Sequence, residues 1–364
     1  MNTIIFLIIL SVLILVHEAG HFFMARRQGI RVEKFALGFG PKLLGFTFKE
    51  TDFRLCTIPF GGYVKMAGDS RKECSGKSDE YFSKTPGQRA LVVFFGPLFN
   101  YFLAFFFLWI VYCLGYPQMS SMIGKVMDNM PAQKAGLAAG DKILSINGKE
   151  VRYWSEVLSQ IKEKGALATV NVVVVRDGEK KEFSFIPEQK EEKDLYGQKR
   201  TVSVIGIIPE GDLVYEKYNP LIAFGKSAAT VIELTWSTLR AILSLIVGNL
   251  ALKEAVTGPI GIFNITKEAA RFGINALLHV TSMFSLALAI FNVLPIPVLD
   301  GGHLLFLGIE RMRRRPLSEK VEQRITDVGF SFIVILAVFI LANDLIRFGY
   351  WDKMSDWFMR WNIK

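Results

Sequence analysis

Two histidines and a glutamate stand together in the run His17-Glu18-Ala19-Gly20-His21, the pattern H-E-x-x-H. Residues four apart share one face of a helix, so both imidazoles can reach a single divalent ion. Glu18, beside that ion but not on it, is then placed to take a proton from the attacking water. A hydrolytic zinc site usually has three protein ligands and one open position, so a third ligand is required. Asp300 supplies the only carboxylate in the run Asn292-Val293-Leu294-Pro295-Ile296-Pro297-Val298-Leu299-Asp300-Gly301. Pro295 and Pro297 withhold backbone donors and interrupt a helix. Inside a membrane that is tolerated only beside protein or a water-filled cavity, which implies a hydrated pocket at Asp300. The other two histidines are His303, just beyond Asp300, and His279, roughly a membrane thickness away along a helix. Both read as core or interfacial residues.

The elements that must position these groups are membrane-spanning. Of the 364 residues, 51% are hydrophobic and 30 are Phe, well above the apolar share of an ordinary soluble domain. Four stretches have the length and apolarity to cross a bilayer, near residues 3–25, 90–114, 276–299 and 328–346. Ionisable groups within such stretches are costly and functional by default, which sharpens the reading of His17, Glu18 and His21. The first stretch lacks a basic flank before it and a small-residue cleavage pattern after it, so it reads as a retained span and not a signal peptide. A fifth stretch, 221–252, carries Lys226, Glu233 and Arg240 at seven-residue steps. That spacing keeps them on one face, and the stretch reads as an amphipathic helix lying in the interface.

Between the second and third spans, residues 122–188 read as a water-soluble domain. Residues 171–175 suit a buried strand, Asp177-Gly178 a hairpin turn, and 182–186 the returning strand. Residues 155–164 suit a short helix with Ser155 as N-cap. Between the first two spans, 42–49 and 52–59 suit a hairpin turning near 50–52, with Phe46 and Phe48 on one face and Gly38 and Gly40 at one end. Asn100, after Gly96-Pro97 in the second span, reads as a packing residue. The tail 351–361, with Trp351, Trp357 and Trp361 among Lys353 and Arg360, suits an interfacial helix. Cys56, Cys74 and Cys113 show no C-x-x-C spacing and indicate neither disulfides nor a thiolate metal site.

Charge gives orientation and excludes a class of partner. Lys plus Arg number 43 against 34 Asp plus Glu, an excess that suits anionic lipid and is gathered on no nucleic-acid-binding module. Thirteen Lys or Arg fall between the first two spans, and Arg311, Arg313, Arg314 and Arg315 between the third and fourth. The positive-inside tendency assigns residues 26–89 and 310–325 to the cytoplasm, with the soluble domain and both termini outside.

Three strings together resemble the site-2 protease family of intramembrane metalloproteases, and more closely its bacterial regulator-of-sigma-E branch. They are the H-E-x-x-H, the Asn292-x-x-Pro295 followed by Leu299-Asp300-Gly301, and Phe60-Gly61-Gly62-Tyr63-Val64-Lys65-Met66. Residues 131–148, with Ala135-Gly136-Leu137, Gly140-Asp141 and Ile146-Asn147-Gly148, resemble one PDZ unit where some relatives carry two. The resemblance implies Zn2+ held by His17, His21 and Asp300, with Glu18 as base. It implies that Asn292 holds the substrate near the scissile bond, with Pro295, Pro297, Gly38 and Gly40 completing the substrate-binding set. It further implies a hairpin at the membrane face that pairs with an unwound substrate helix, and a PDZ domain acting as a size filter or binding a substrate carboxyl terminus.

The expected fold is a polytopic α-helical membrane protein with about four transmembrane helices, a membrane-associated β-hairpin or sheet and an extracytoplasmic PDZ domain. Its expected segments are 1–115, holding the first two spans and hairpin; 116–210, the PDZ domain; 211–270, amphipathic connecting helices; 271–350, the last two spans; and 351–364, the interfacial tail. The expected function is cleavage of single-span proteins in the bacterial inner membrane, with an anti-sigma factor or signal-peptide remnants as substrates. A membrane metal carrier or scaffold with the same ligands is the alternative, and a membrane-anchored PDZ adaptor leaves the intramembrane ionisable residues unexplained. Glu18 separates hydrolysis from carriage, since a carrier gains little from an acid held off the metal.

Overall fold

The computed structural model describes residues 2–163, 168–193 and 199–350; the expected interfacial tail lies outside them. The chain divides into two compact units, one of residues 2–110, 224–238 and 256–350 and another of residues 111–223 and 239–255.

The first unit opens with α1 (Asn2–Arg27). Two long strands follow, β1 (Val32–Phe48) and β2 (Thr51–Met66), each of which folds over once. Their register shows the consequence. Residues 32–37 pair with 62–66 on one side and with 52–55 on the other, while 42–48 pair with 51–56 beyond. The segment order is therefore 62–66, 32–37, 51–56, 42–48, and the last has an open edge. Gly38 and Gly40 both have φ +88°, a left-handed backbone that glycine adopts without strain, and they form the fold-over in β1. The expected hairpin is present, but its turn is Lys49-Glu50, both at positive φ, which gives a two-residue turn matched to strand twist. Phe22 of α1 packs edge-on against Phe35 and Phe53, holding the sheet to the helix. Leu43, Leu44, Phe46 and Phe48 on the outer segment are exposed.

After a 3-10 turn at Tyr81–Ser83, α2 (Pro86–Leu114) completes the amino-terminal half. In the carboxyl-terminal half, α7 (Pro259–Arg271), α8 (Ile274–Val293), α9 (Asp300–Arg313) and α10 (Glu319–Arg347) belong to the same unit. The third span ends at Val293, earlier than the expected 299, because Pro295 and Pro297 supply no N–H to continue it. α8 carries buried small residues, Ser282, Ser285 and Ala289, and touches α2 where Ser285 Oγ donates to the Asn100 carbonyl at 2.8 Å. Among the described residues, five helices are long and apolar enough to cross a membrane: α1, α2, α5 (Pro220–Val247), α8 and α10. The length and composition of α5 thus qualify it as a span candidate, where sequence had suggested an interfacial helix.

Residues 67–85 clamp the ends of these helices. Glu80 is buried and its carboxylate accepts from Ser75 Oγ at 2.6 Å, from Cys74 Sγ, and from the N–H groups of Ser75, Gly76 and Lys77. The Ser75 hydroxyl and these further donors outweigh burial and draw its pKa down to about 2. Next to it, Arg71 reaches Leu317 O and Glu322, and Arg89 pairs with Glu310 at 2.5 Å.

The second unit carries β3 (Tyr116–Met119), β4 (Ile123–Val126), α3 (Pro131–Lys134), β5 (Lys142–Ile146), β6 (Lys149–Glu150) and α4 (Trp154–Glu163). β7 (Val170–Arg176), β8 (Glu179–Phe185), β9 (Glu188–Lys193), β10 (Lys199–Val204), β11 (Ile207–Pro209) and β12 (Leu213–Glu216) follow, with α6 (Leu252–Ala255) further along the chain. A four-stranded sheet runs β6-β5-β7-β8, and β4 pairs with β11, β9 with β10, and β3 with β12. Its core is Ile123, Ile143, Ile146, Val157, Val170, Val172 and Val174. The Asp177-Gly178 turn joins β7 to β8 as the sequence indicates. α4 starts at Trp154, one residue earlier than expected. Ser155 therefore lies inside the helix and is not its N-cap; Glu156 of the first turn reaches back to accept from the N–H groups of Arg152 and Tyr153, which precede the helix.

One buried carboxylate ties the carboxyl-terminal helices together. Asp344 of α10 is fully buried and accepts from the N–H groups of Gly258 at 3.1 Å and Gly261 at 3.0 Å, at the start of α7. These amides have no partner within their own helix, and the negative charge suits a helix amino terminus. Replacing Asp344 with Ala leaves two buried donors unpaired and should cost about 3 kcal/mol, while Asn, which keeps one acceptor, should cost less. Thermal unfolding of the purified protein in detergent checks this order.

Candidate metal centre

The site forms where α1 and α2 come unusually close. A Cβ on Gly20 would overlap the Phe95 carbonyl, and a Cβ on Gly96 would overlap the His21 imidazole. The two glycines therefore set the approach of the helices and the space in which the His21 ring stands. From α2, the Val92 carbonyl takes a hydrogen bond from His21 Nδ1 at 2.9 Å. A proton held on Nδ1 leaves the lone pair of Nε2 free for a metal.

The third group arrives from the other half of the chain. Asp300 is not the end of a span; it is the first residue of α9. The six residues before it form an irregular connection in which Val298 has φ +87°, a strained conformation for a β-branched residue, costing about 1–3 kcal/mol. Gly301 and Gly302 let α9 begin hard against this connection, since a Cβ on Gly301 would overlap the carbonyls of Val293 and Leu294. A Cβ on Gly302 would lie 2.5 Å from the carbonyl oxygen of Ile296. The first turn of α9 is thereby packed down and Asp300 is aimed inward.

Three donor atoms meet as a result. Asp300 Oδ2 lies 3.1 Å from His17 Nε2 and 3.5 Å from His21 Nε2, and the two imidazole nitrogens are 3.3 Å apart. Ligand bonds of about 2.0–2.1 Å in a tetrahedron place neighbouring ligands roughly 3.3–3.4 Å apart, so the triangle fits one face of a zinc site. Asp300 Oδ2 is buried without a hydrogen bond, an orphaned acceptor that a cation would satisfy. Among the described residues, no other group of three such side chains could hold a metal ion. The side chains are only 12–16% exposed, which keeps bulk water from competing for the ligands.

The remaining candidates distribute around this centre. Glu18 is half-buried and lies against Gly62 of β2, where a Cβ would sit 3.2 Å from Glu18 Cγ. Leu37 pairs with Gly62, so Gly38 follows directly on the strand beside Glu18, and Gly40 lies two residues further into the fold-over. Asn292, near the end of α8, is half-buried and has no side-chain hydrogen bond among the described residues. Pro295 and Pro297 line an apolar groove of about 560 Å³ with Ile325, Val328 and Phe332 of α10. His303 is exposed on α9 with its ring near Phe306, and His279 lies near the start of α8; neither joins the triad.

Asn100 is buried as its sequence reading as a packing residue requires, and its amide also faces the imidazole of His17, 3.4 Å from Nδ1. The available signal for that contact was a lone amide one helical turn beyond Gly96 in an apolar span. Gly96 and Gly62 were missed as spacers because their role depends on neighbours distant in sequence. Gly96→Ala should push the His21 ring off Val92 and weaken metal binding by about tenfold or more. Gly225→Ala, at a position with open space around it, is the control. Metal content and affinity of the two purified variants measure the difference.

Comparison with known proteins agrees with this chemistry. Residues 5–336 match the model of peptidase family M50. A Campylobacter jejuni protein named "Putative zinc metalloprotease Cj1068" is 33% identical over 343 residues, covering 93% of this chain and 92% of that one. A Mesorhizobium japonicum protein of the same kind of name, mll0638, is 32% identical over 358 residues, covering 93% and 97%. The Regulator of sigma-W protease RasP of Bacillus subtilis is 29% identical over 427 residues, covering 95% and 99%. With its several membrane-spanning helices and its two-histidine, one-carboxylate centre, the chain belongs to peptidase family M50, the site-2 protease family, and is a multi-pass membrane zinc metalloprotease.

Proposed function

We propose that this enzyme cleaves single-span membrane proteins within or near their transmembrane segment, with His17, His21 and Asp300 as the zinc ligands and Glu18 as the catalytic base. The observation that carries the assignment is the convergence of three donor atoms, from two halves of the chain, within 3.5 Å of one another. A zinc ion held by His17, His21 and Asp300 would supply Lewis acidity to polarise the scissile carbonyl and ease deprotonation of water. Glu18 accepts the proton of the attacking water as it adds to that carbonyl, then passes it to the departing amide nitrogen, so the products leave as an acid and an amine. Asn292, with its amide free, holds the peptide backbone beside the bond, and Pro295 and Pro297 present the apolar groove to the substrate's side chains.

A lipid-embedded helix has no accessible peptide bond, so the substrate must be unwound. Segment 42–48 offers an open strand edge studded with exposed Leu and Phe, which suits a hairpin dipping into the membrane and pairing with the extended substrate. The second unit suits a PDZ domain acting as a size filter outside the cell membrane or holding a substrate carboxyl terminus. Its groove of about 230 Å³ between α4 and residues 204–207, lined by Leu158, Ile161, Ile205 and Ile207, has the form of a peptide site. The sigma-regulator role named for the Bacillus relative makes an anti-sigma factor one candidate substrate. Signal-peptide remnants are another.

Helix directions support four crossings. Val92 meets His21 and Asn100 meets His17, so α2 runs opposite to α1, while α8 leads into Asp300 and runs with α1. The chain must therefore cross an even number of times between α2 and α8. α7 has 13 residues, or about 20 Å, too short to return across a core of about 30 Å. A lone crossing by α5 would reverse α8, so α5 is assigned to the interface. With the basic connections inward, this reading puts the zinc centre toward the cytoplasmic side of the inner membrane.

Two experiments test the reading. Glu18→Gln should keep zinc at wild-type content while lowering cleavage of a single-span substrate in reconstituted membranes by at least a hundredfold; retained cleavage would remove Glu18 from the mechanism. Proline at those positions of 43–47 whose N–H groups point to the open edge should reduce cleavage with zinc content unchanged. Unaltered rates would discard strand pairing.

A further inference from the structure

Both zinc-facing imidazoles turn their second ring nitrogen toward α2, but they meet different partners there. His21 Nδ1 donates to a main-chain carbonyl, that of Val92. His17 Nδ1 faces the side-chain amide of Asn100. We infer that Asn100 is a positioning residue for His17: its side-chain carbonyl accepts the Nδ1–H and thereby presents the Nε2 lone pair to the metal. The inference rests on the reading of His17 as a zinc ligand.

Three observations carry it. Asn100 is 0% exposed, and its Oδ1 is buried with no donor among the described residues, so an amide oxygen stands beside the ring with its valence unmet. The amide nitrogen faces Nδ1 at 3.4 Å. With Nε2 on a metal, the only proton of the ring is on Nδ1, and an N–H facing an N–H repels. A half-turn of the amide brings the unpartnered oxygen onto that proton, a change that leaves the side chain's shape almost unaltered. Third, the residue is held from behind, because Ser285 of α8 donates to the Asn100 carbonyl at 2.8 Å. The asparagine thus links α8, which leads to Asp300, with α1, which carries the histidines. Without it, His17 is free to rotate or to place its proton on Nε2, and either change removes a ligand.

The test compares zinc affinity of the full-length protein in detergent, by competition with a chelator, across four forms: wild type, Asn100→Asp, Asn100→Leu and His17→Ala. Asn100→Asp keeps an acceptor toward Nδ1 and should bind zinc as tightly as wild type or more tightly. Asn100→Leu has similar volume without an acceptor and should bind about 10–100-fold more weakly. Visible spectra of the cobalt-substituted forms should match for wild type and Asp and differ for Leu. A packing role predicts the opposite order, since Leu fits a buried apolar site and an added carboxylate does not. Zinc binding by Asn100→Leu at the wild-type level, or by Asn100→Asp below that of Leu, would overturn the inference. If Asn100→Leu does not fold, Asn100→Ala carries the same expectation. His17→Ala should lose zinc outright; if it does not, the ligand assignment beneath the inference fails, which separates the two.

Discussion

The first unit brings two imidazoles and a carboxylate within about 3.5 Å of each other among apolar helices. Such groups are expensive to withdraw from water unless each polar atom has a partner, and in lipid the protein itself must provide those partners. The backbone of α2 supplies one at Val92 and the side chain of Asn100 faces the other, and both are within reach only because Gly20 and Gly96 let α1 and α2 touch at backbone distance. A methyl group at either glycine would separate the helices and remove the partners together. The close approach and the chemistry are therefore one constraint.

The carboxylate is delivered under strain. Val298 is held at positive φ, and Gly301 and Gly302 are pressed against the carbonyls of the preceding connection. Packing on both sides holds the distortion in place: Gly329 of α10 lies against Pro297, and α9 is tied to α2 through Arg89 and Glu310. The loop between α1 and α2 contributes as well: its Phe82 ring lies under both Arg71, which extends to Glu322 of α10, and Arg89 of α2, which extends to Glu310 of α9. Glu80 fixes that loop by gathering five hydrogen bonds onto one carboxylate. α10 is otherwise largely exposed along its apolar length, with Val328, Ile335 and Val338 facing outward, as a lipid-facing helix should be. Its attachment to the rest is made at a few polar or close-packed points, Asp344 among them.

Gly38 and Gly40 illustrate how one residue can serve fold and function. Their left-handed backbone is required by the fold-over of β1, independent of any ligand. That same fold-over leaves segment 42–48 at the margin of the sheet with an open edge. A role in substrate binding would therefore be exercised through the strand that these glycines redirect, and not through the glycines' own atoms.

What the sequence determined by itself was local. The H-E-x-x-H spacing places two imidazoles on one helix face, long apolar stretches mark candidate spans, the two prolines end α8, and Asp177-Gly178 closes a hairpin. Each depends on neighbours within a few residues, where geometry is fixed by the helix or strand period. Asp300 could be nominated because it is the lone carboxylate in its run, but its place at the head of α9 depends on packing that no local pattern encodes. The double fold of β1 and β2, the capping of α7 by a residue some 83 positions away, and the pairing of Asn100 with His17 were decided by tertiary structure alone. The physical reason is the same in each case. A polar group buried in an apolar environment takes whichever partner the fold brings to it, and that partner lies across space and not along the chain.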